Sequence, residues 1–316
     1  MPVEQESPAE RRSLRVDGVT VLGALSPSRA SDFMTCPLLF RFRTVDRLPQ
    51  TSSVDAVRGT LVHKVLEDIF TLPAQERTPA RARSMLAPAW DSFVAESPEL
   101  PTMFGSSDEL DEWMTSASDV LDRYFTLEDP RRLEPAEREL YVEALLDSKL
   151  LLRGFIDRVD VAPDGAVRVV DYKSGNSPHP DFEAKALFQM KFYALAVWRS
   201  RGVIPKVLQL MYLGNGEILT YEPDEADLLA TERKVNALWQ AIRAAEEARE
   251  WLPNRSRACD WCSYKAFCPA WGGTPPPVPD DRLRGGVVPP TAPRWFGRLR
   301  RWWRRPTSGE PSRSAP

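Results

Sequence analysis

Apolar residues along the chain fall into strand-like runs and helical stripes in a definite order. Residues 151–161 and 166–172 are two strand-like runs separated by Pro163-Asp164-Gly165. Pro followed by Asp suits a type I turn, and Gly suits the left-handed position that closes a three-residue hairpin loop. Upstream, Ser26 followed by Pro27 marks a helix start running to about Thr35. In residues 57–70, Leu61, Val62, Val65, Leu66, Ile69 and Phe70 recur at helical spacing. Residues 72–135 are helical in composition, with Trp90, Phe93, Trp113, Leu121, Tyr124 and Phe125 as a satellite core. Residues 139–146 read as a further strand leading into the hairpin. After it come a helix over 182–199, a second hairpin (207–212 and 217–221 around Gly214-Asn215-Gly216) and a charged helix over 226–250.

The first hairpin sets a register with chemical consequences. A three-residue loop puts Ala162 opposite Ala166, and the pairing then brings Asp157 opposite Asp171. Opposed residues share a face with Cβ atoms roughly 5 Å apart, and Lys173, two residues on, joins them there. Facing carboxylates repel unless a cation sits between them, and a divalent ion with oxygen ligands meets that need. A solvated hairpin is the plainer reading, and apolar residues on both sides of each aspartate argue against it. His63 lies beside the buried stripe of its helix with Glu67 one turn on; it reads as a packing residue unless the fold ties it to the aspartates. Gln189 and Tyr193, four apart, share one helix face. Glu139 and Glu143 offer oxygens, but their spacing reads as a solvated strand face.

The chain has 316 residues and a net charge of −3, so strand binding would need a local channel rather than a basic surface. Nothing approaches 18 consecutive apolar residues, so no membrane span is expected. The polar start (Glu4, Glu6, Glu10) lacks the layout of a signal peptide, which makes the cytoplasm the default location. Cys36 stands far from Cys259, Cys262 and Cys268, which form C-x2-C-x5-C. Four thiolates suit zinc or an iron–sulfur cluster. A single C-x2-C knuckle fits a cluster clasping two ends of one domain better than a zinc ribbon. Disorder is expected from about Gly272. Within that tail, residues 294–305 interleave six arginines with three tryptophans, suited to phosphates and bases, an anionic surface or a docking partner. No G-x-x-x-x-G-K-[ST] loop occurs, so any unwinding partner is a separate protein.

Taken together, these motifs resemble a known family. Leu25-Ser26-Pro27-Ser28, Cys36-Pro37, Gly59-x-x-x-His63, Gly154-x-x-Asp157-Arg158-x-Asp160, Asp171-Tyr172-Lys173-Ser174-Gly175, Gln189-x-x-x-Tyr193 and the cysteine trio occur in the order seen in RecB-like nucleases of the PD-(D/E)xK superfamily. The iron–sulfur branch, which includes CRISPR-associated spacer-processing nucleases and AddB-type nuclease domains, is the most similar. The resemblance implies an α/β, restriction-endonuclease-like central mixed sheet flanked by helices, with an iron–sulfur clasp. It implies His63, Asp157 and Asp171 as ligands of Mg2+ or Mn2+, Lys173 as the catalytic lysine, and Gln189 and Tyr193 in support. It implies Cys36, Cys259, Cys262 and Cys268 as ligands of a [4Fe–4S] cluster, ahead of zinc. The expected layout is an extension (1–20), a nuclease domain (21–271) with a helical insertion at about 72–135 and the cysteine cluster at 259–268, and a tail (272–316). The implied function is metal-dependent exonuclease action on single-stranded or frayed DNA ends in repair or recombination. A non-catalytic, cluster-stabilised DNA-binding subunit of a helicase–nuclease complex is the alternative.

Overall fold

The computed structural model describes residues 15–279 except 17, 18, 51 and 179. Strands β1 (Arg15–Val16) and β2 (Val19–Thr20) form a small antiparallel pair. The main body begins at β3 (Gly23–Leu25), followed by α1 (Pro27–Thr35), α2 (Pro37–Phe40), α3 (Val54–Ile69), α4 (Pro79–Glu96) and α5 (Ser107–Leu127). Next come β4 (Glu137–Leu145), β5 (Leu150–Val161), β6 (Val167–Lys173) and α6 (Pro180–Arg201). Strands β7 (Val207–Tyr212) and β8 (Glu217–Tyr221) and helix α7 (Glu225–Ala248) complete it. The helix starts follow their caps: Ser26 Oγ accepts from Arg29 N at 3.3 Å and Ser53 Oγ from Ala56 N at 3.2 Å. A π-helical turn at Arg41–Val45, which no sequence pattern signalled, follows α2.

The central sheet is six-stranded and mixed, ordered β3-β5-β6-β7-β8 with β4 also on β5. Crossover helix α6 makes β6 and β7 parallel, whereas β4, β5 and β6 are joined by tight turns and pair antiparallel. Strand β4 covers one edge of β5 from Leu151 to Val159, so β3 and β6 share the other. Strand β3 pairs with Leu150, Leu151 and Leu152, and β6 with residues from Arg158 onward. Residues 153–157 lie in the gap between them, and that gap holds the site.

Two apolar clusters pack on the sheet. One joins it to α1, α6 and α7 through residues such as Leu25, Phe192, Leu195, Leu210 and Val235. The other joins Val170, Tyr172, Met211 and Leu213 to α3, α4 and α5, including Trp90, Trp113, Leu121 and Tyr124. Buried Arg158 ties this helical layer to the sheet: it pairs with Glu128 just past α5, with Asp160 at 3.2 Å, and donates to Tyr172 Oη at 2.6 Å. Residues 273–279 hold no helix or strand, yet they stay on the body: Arg41 donates to the Pro276 carbonyl and Val278 packs on the first cluster. The rest of the expected disordered tail, from residue 280 on, lies outside the described residues. The Arg/Trp segment 294–305 lies outside the described residues.

Candidate active site

The hairpin loop folds as its residues dictate, with Gly165 at φ 84° and Ala162 N donating to Ala166 O at 2.9 Å. The β5–β6 ladder runs in the expected register, Val161↔Val167 through Arg158↔Val170, and stops one step short of Asp157 and Asp171. Asp157 Oδ2 instead accepts from Tyr172 N at 2.7 Å, so a carboxylate ends the ladder. On the other side, Arg138↔Arg158 and Leu140↔Ile156 bracket Glu139 and Asp157, which are absent from the ladder between them. Glu139 has φ 46°, a left-handed conformation unusual for a non-glycine residue within a strand. Glu139, Asp157 and Asp171 thus occupy one row across β4, β5 and β6.

Helices bring the remaining groups. His63 on α3 sets Nδ1 3.4 Å from Asp157 Oδ2. Its approach depends on Gly59, one turn earlier, where an added Cβ would lie 2.9 Å from Ser174 Oγ. From α6, Gln189 Nε2 donates to Asp171 Oδ1 at 2.9 Å and its Oε1 accepts from Lys173 Nζ at 3.1 Å. Tyr193 Oη lies 3.4 Å from Gln189 Nε2. The Tyr193 ring leaves room for no side chain at residue 154, where a Cβ would meet Cε1 at 2.7 Å. The two motif glycines are therefore clearances, Gly59 for Ser174 and Gly154 for Tyr193. Lys173 Nζ is paired to Asp171 Oδ2 at 2.6 Å.

The charges in this row are strongly perturbed. Burial and then the charge of Asp157 push Asp171 up to about 6, against the pull of Lys173. Burial, then Asp157, lifts Glu139 to about 8. Burial disfavours a charged His63, but Asp157, Asp171 and Glu139 outweigh it and raise the ring to about 9. Burial also opposes ionised Asp157, yet His63, the Tyr172 N–H and Lys173 hold it below its ordinary value. Such a pattern marks uncompensated negative charge. Among the described residues, His63, Glu139 and Asp157 are the group whose ligand atoms all lie within 4.8 Å of one another. His63 and both aspartates thus converge, but Asp171 has its oxygens turned to Lys173 and Gln189. Glu139 is the partner that sequence reading left as a solvated strand position.

The four cysteines also meet. Cys36, Cys259, Cys262 and Cys268, all unbridged, line one cleft. Cys36 Sγ accepts from Asn254 N at 3.3 Å and Cys259 Sγ from Ser256 N at 3.5 Å.

Comparison with known proteins agrees with this geometry. The model of the PD-(D/E)XK nuclease superfamily matches residues 24–269. The Gene 69 protein of Mycobacterium phage D29 is 26% identical over 271 residues, covering 78% of this chain and 96% of its own. The Gene 69 protein of Mycobacterium phage L5 is 33% identical over 124 residues, 38% of this chain and 40% of its own. A crystal structure of a "Putative exonuclease" from Eubacterium rectale superposes with a TM-score of 0.52 at 16% identity, over 76% of this chain and 87% of that one. That last likeness is one of fold.

Proposed function

The chain belongs to the PD-(D/E)XK nuclease superfamily, and from that premise we propose that it is a metal-dependent exonuclease acting on single-stranded or frayed DNA ends in repair or recombination. The observation that carries this reading is the three-strand acidic row with Lys173 at its end. The donor set suits a hard divalent cation: carboxylate oxygens and one imidazole around charge that protein groups leave uncompensated. His63, Asp157 and Asp171 would hold Mg2+ or Mn2+, with Glu139 beside them. Such an ion would supply polarisation of a scissile phosphate and a bound water of lowered pKa. Asp171 and its neighbours raise the pKa of Lys173 against the effect of burial, so it stays an ammonium. It would orient the attacking water or offset charge building on the phosphate oxygens. Gln189, bonded to both Asp171 and Lys173, fixes their spacing, and Tyr193 packs behind it.

A strand path is supported by what adjoins the row. Two residues before Asp157, Phe155 sets its ring 5.2 Å from that of Tyr141, which is 40% exposed. Arg153 follows, and burial together with the charges of Arg153 and Arg47 lowers Arg29 to about 10. Exposed Arg47 and the exposed Tyr141 ring suit the phosphates and bases of a single strand. Replacing exposed Arg47 by Ala should weaken single-stranded DNA binding and reduce the log–log salt slope by about 0.7. An unchanged slope in a fluorescence-anisotropy titration would place the strand elsewhere.

Metal uptake should also be pH-dependent. At neutral pH His63, at about 9, and Glu139, at about 8, hold protons that a ligand must give up. Mn2+ affinity is therefore expected to climb from pH 6 to 9 with proton release, read by calorimetry at pH 7 in buffers of different ionisation enthalpy. Equal heats in all buffers would count against protonated ligands.

At the cysteine cleft we favour a [4Fe–4S] cluster over zinc. The sequence brings one C-x2-C knuckle with two further cysteines, where a zinc ribbon brings two knuckles. Backbone N–H bonds to two of the sulfurs also suit a cluster, whose potential such bonds tune. Among the described residues no helix is long and apolar enough to cross a membrane. We place the protein in the cytoplasm, with a separate helicase as candidate partner and residues 72–135 as a helical insertion that adjusts substrate choice. The test is cleavage of end-labelled single- and double-stranded DNA with Mn2+, Mg2+ or EDTA. A metal-loaded protein that binds DNA without cutting it would leave a non-catalytic subunit.

A further inference from the structure

Lys173 pairs across the parallel β6–β7 ladder with Tyr212. Register partners point to the same face, so the Tyr212 ring stands beside the lysine on the α6 side, where it joins the first apolar cluster. Tyr212 is 5% exposed, and its hydroxyl is buried with no hydrogen-bond partner among the described residues. A buried hydroxyl without a partner is costly, and phenylalanine would fill the same space without that cost. Leu210, two residues before Tyr212, pairs with Asp171 in the same ladder, which sets Tyr212 at the edge of the acidic row.

Lysine has three N–H donors. Here one direction is taken by Asp171 Oδ2 at 2.6 Å and another by Gln189 Oε1 at 3.1 Å. If Asp171 turns its oxygens to a cation, Lys173 loses its nearest partner. Its flexible chain would then wander from the phosphate it must face. We propose that Tyr212 is a positioning residue for Lys173: its hydroxyl accepts the N–H that Asp171 gives up on metal binding. Gln189 and Tyr212 then hold two donors of the ammonium, and the third points to substrate. This inference rests on the nuclease reading of the site.

The test is Tyr212→Phe in the full chain. Without metal the variant should melt at or above the wild-type temperature, since a partnerless hydroxyl is removed. Its affinity for single-stranded DNA in Ca2+ should stay within about twofold, while the single-turnover rate in Mn2+ falls about tenfold, the worth of one charged hydrogen bond. A second readout does not depend on cleavage. The side-chain 15N signal of Lys173, assigned by its loss in Lys173→Met, should stay sharp when Mg2+ is added to the wild type. In Tyr212→Phe it should broaden through exchange with water. A wild-type rate, a lowered melting temperature or an identical Lys173 signal in the variant would each overturn the proposal. A wild type that cuts no DNA, yet shows the Tyr212-dependent Lys173 signal, would keep the positioning role and refute the nuclease reading.

Discussion

Asp171→Asn and Lys173→Ala are each expected to lower DNA cleavage on the order of 1,000-fold or more while leaving the fold intact. The loss follows from position. Asp171 is 3% exposed, bonded to Gln189 and paired with Lys173, so it has no route to substitution by a neighbour or by solvent. Removing an oriented charge at the reacting phosphate costs at least as much as deleting one donor from an oxyanion hole, about 100- to 1,000-fold. The fold survives for a different reason. Burial and Asp157 already push Asp171 towards its neutral form, so an amide of the same shape is tolerated. Truncating Lys173 lets Asp171 protonate rather than remain an unpaired buried charge. End-labelled DNA in Mn2+ measures the first effect and thermal melting the second. Cleavage by either variant within tenfold of wild type would mean that the chemistry lies elsewhere.

Cys36→Ala should be the most damaging substitution for stability. Cys36 sits at the junction of α1 and α2, more than 200 residues before Cys259. The later segment is moored there: Asn254 Nδ2 donates to Thr35 O at 3.0 Å and Asn254 N to Cys36 Sγ. A cross-link closing a loop of that length is worth about 5 kcal/mol by chain-entropy arithmetic. A chain of this size should then melt about 10 °C or more lower without it. Anaerobically prepared wild type should be brown and contain iron, and the variant should lose both. Unchanged melting with the colour retained would remove Cys36 from the clasp.

The hairpin was the most legible part of the chain, because Pro163-Asp164-Gly165 names its own turn and the turn fixes the register. Asp157, Asp171 and Lys173 followed from it, and β7 and β8 were read to the residue. His63 could not be placed from its helix alone, since its meaning depends on which strand α3 crosses. Glu139 reads as a solvated strand position for a definite reason. The β4–β5 turn, Asp147-Ser148-Lys149, carries no glycine, and its left-handed residue is Lys149 at φ 61°. Had the turn been recognised, opposing Leu146 to Leu150 would have carried the register to Glu139 and Asp157. The kink at Glu139 itself is not readable from local propensity, because a row of facing acids sets it and local backbone preference does not.

The bond from the Tyr172 N–H to Asp157 has a consequence for how this chain tolerates drift. On the proposed reading Asp157 has two jobs, as a charge at the reacting centre and as the acceptor that closes a strand ladder. On the same reading Lys173 serves the chemistry through side-chain contacts to Asp171 and Gln189, and it completes no backbone pairing. A lineage that abandoned cleavage would shed the lysine freely and keep the aspartate. The carboxylate would then persist as a relic of architecture after the activity had gone.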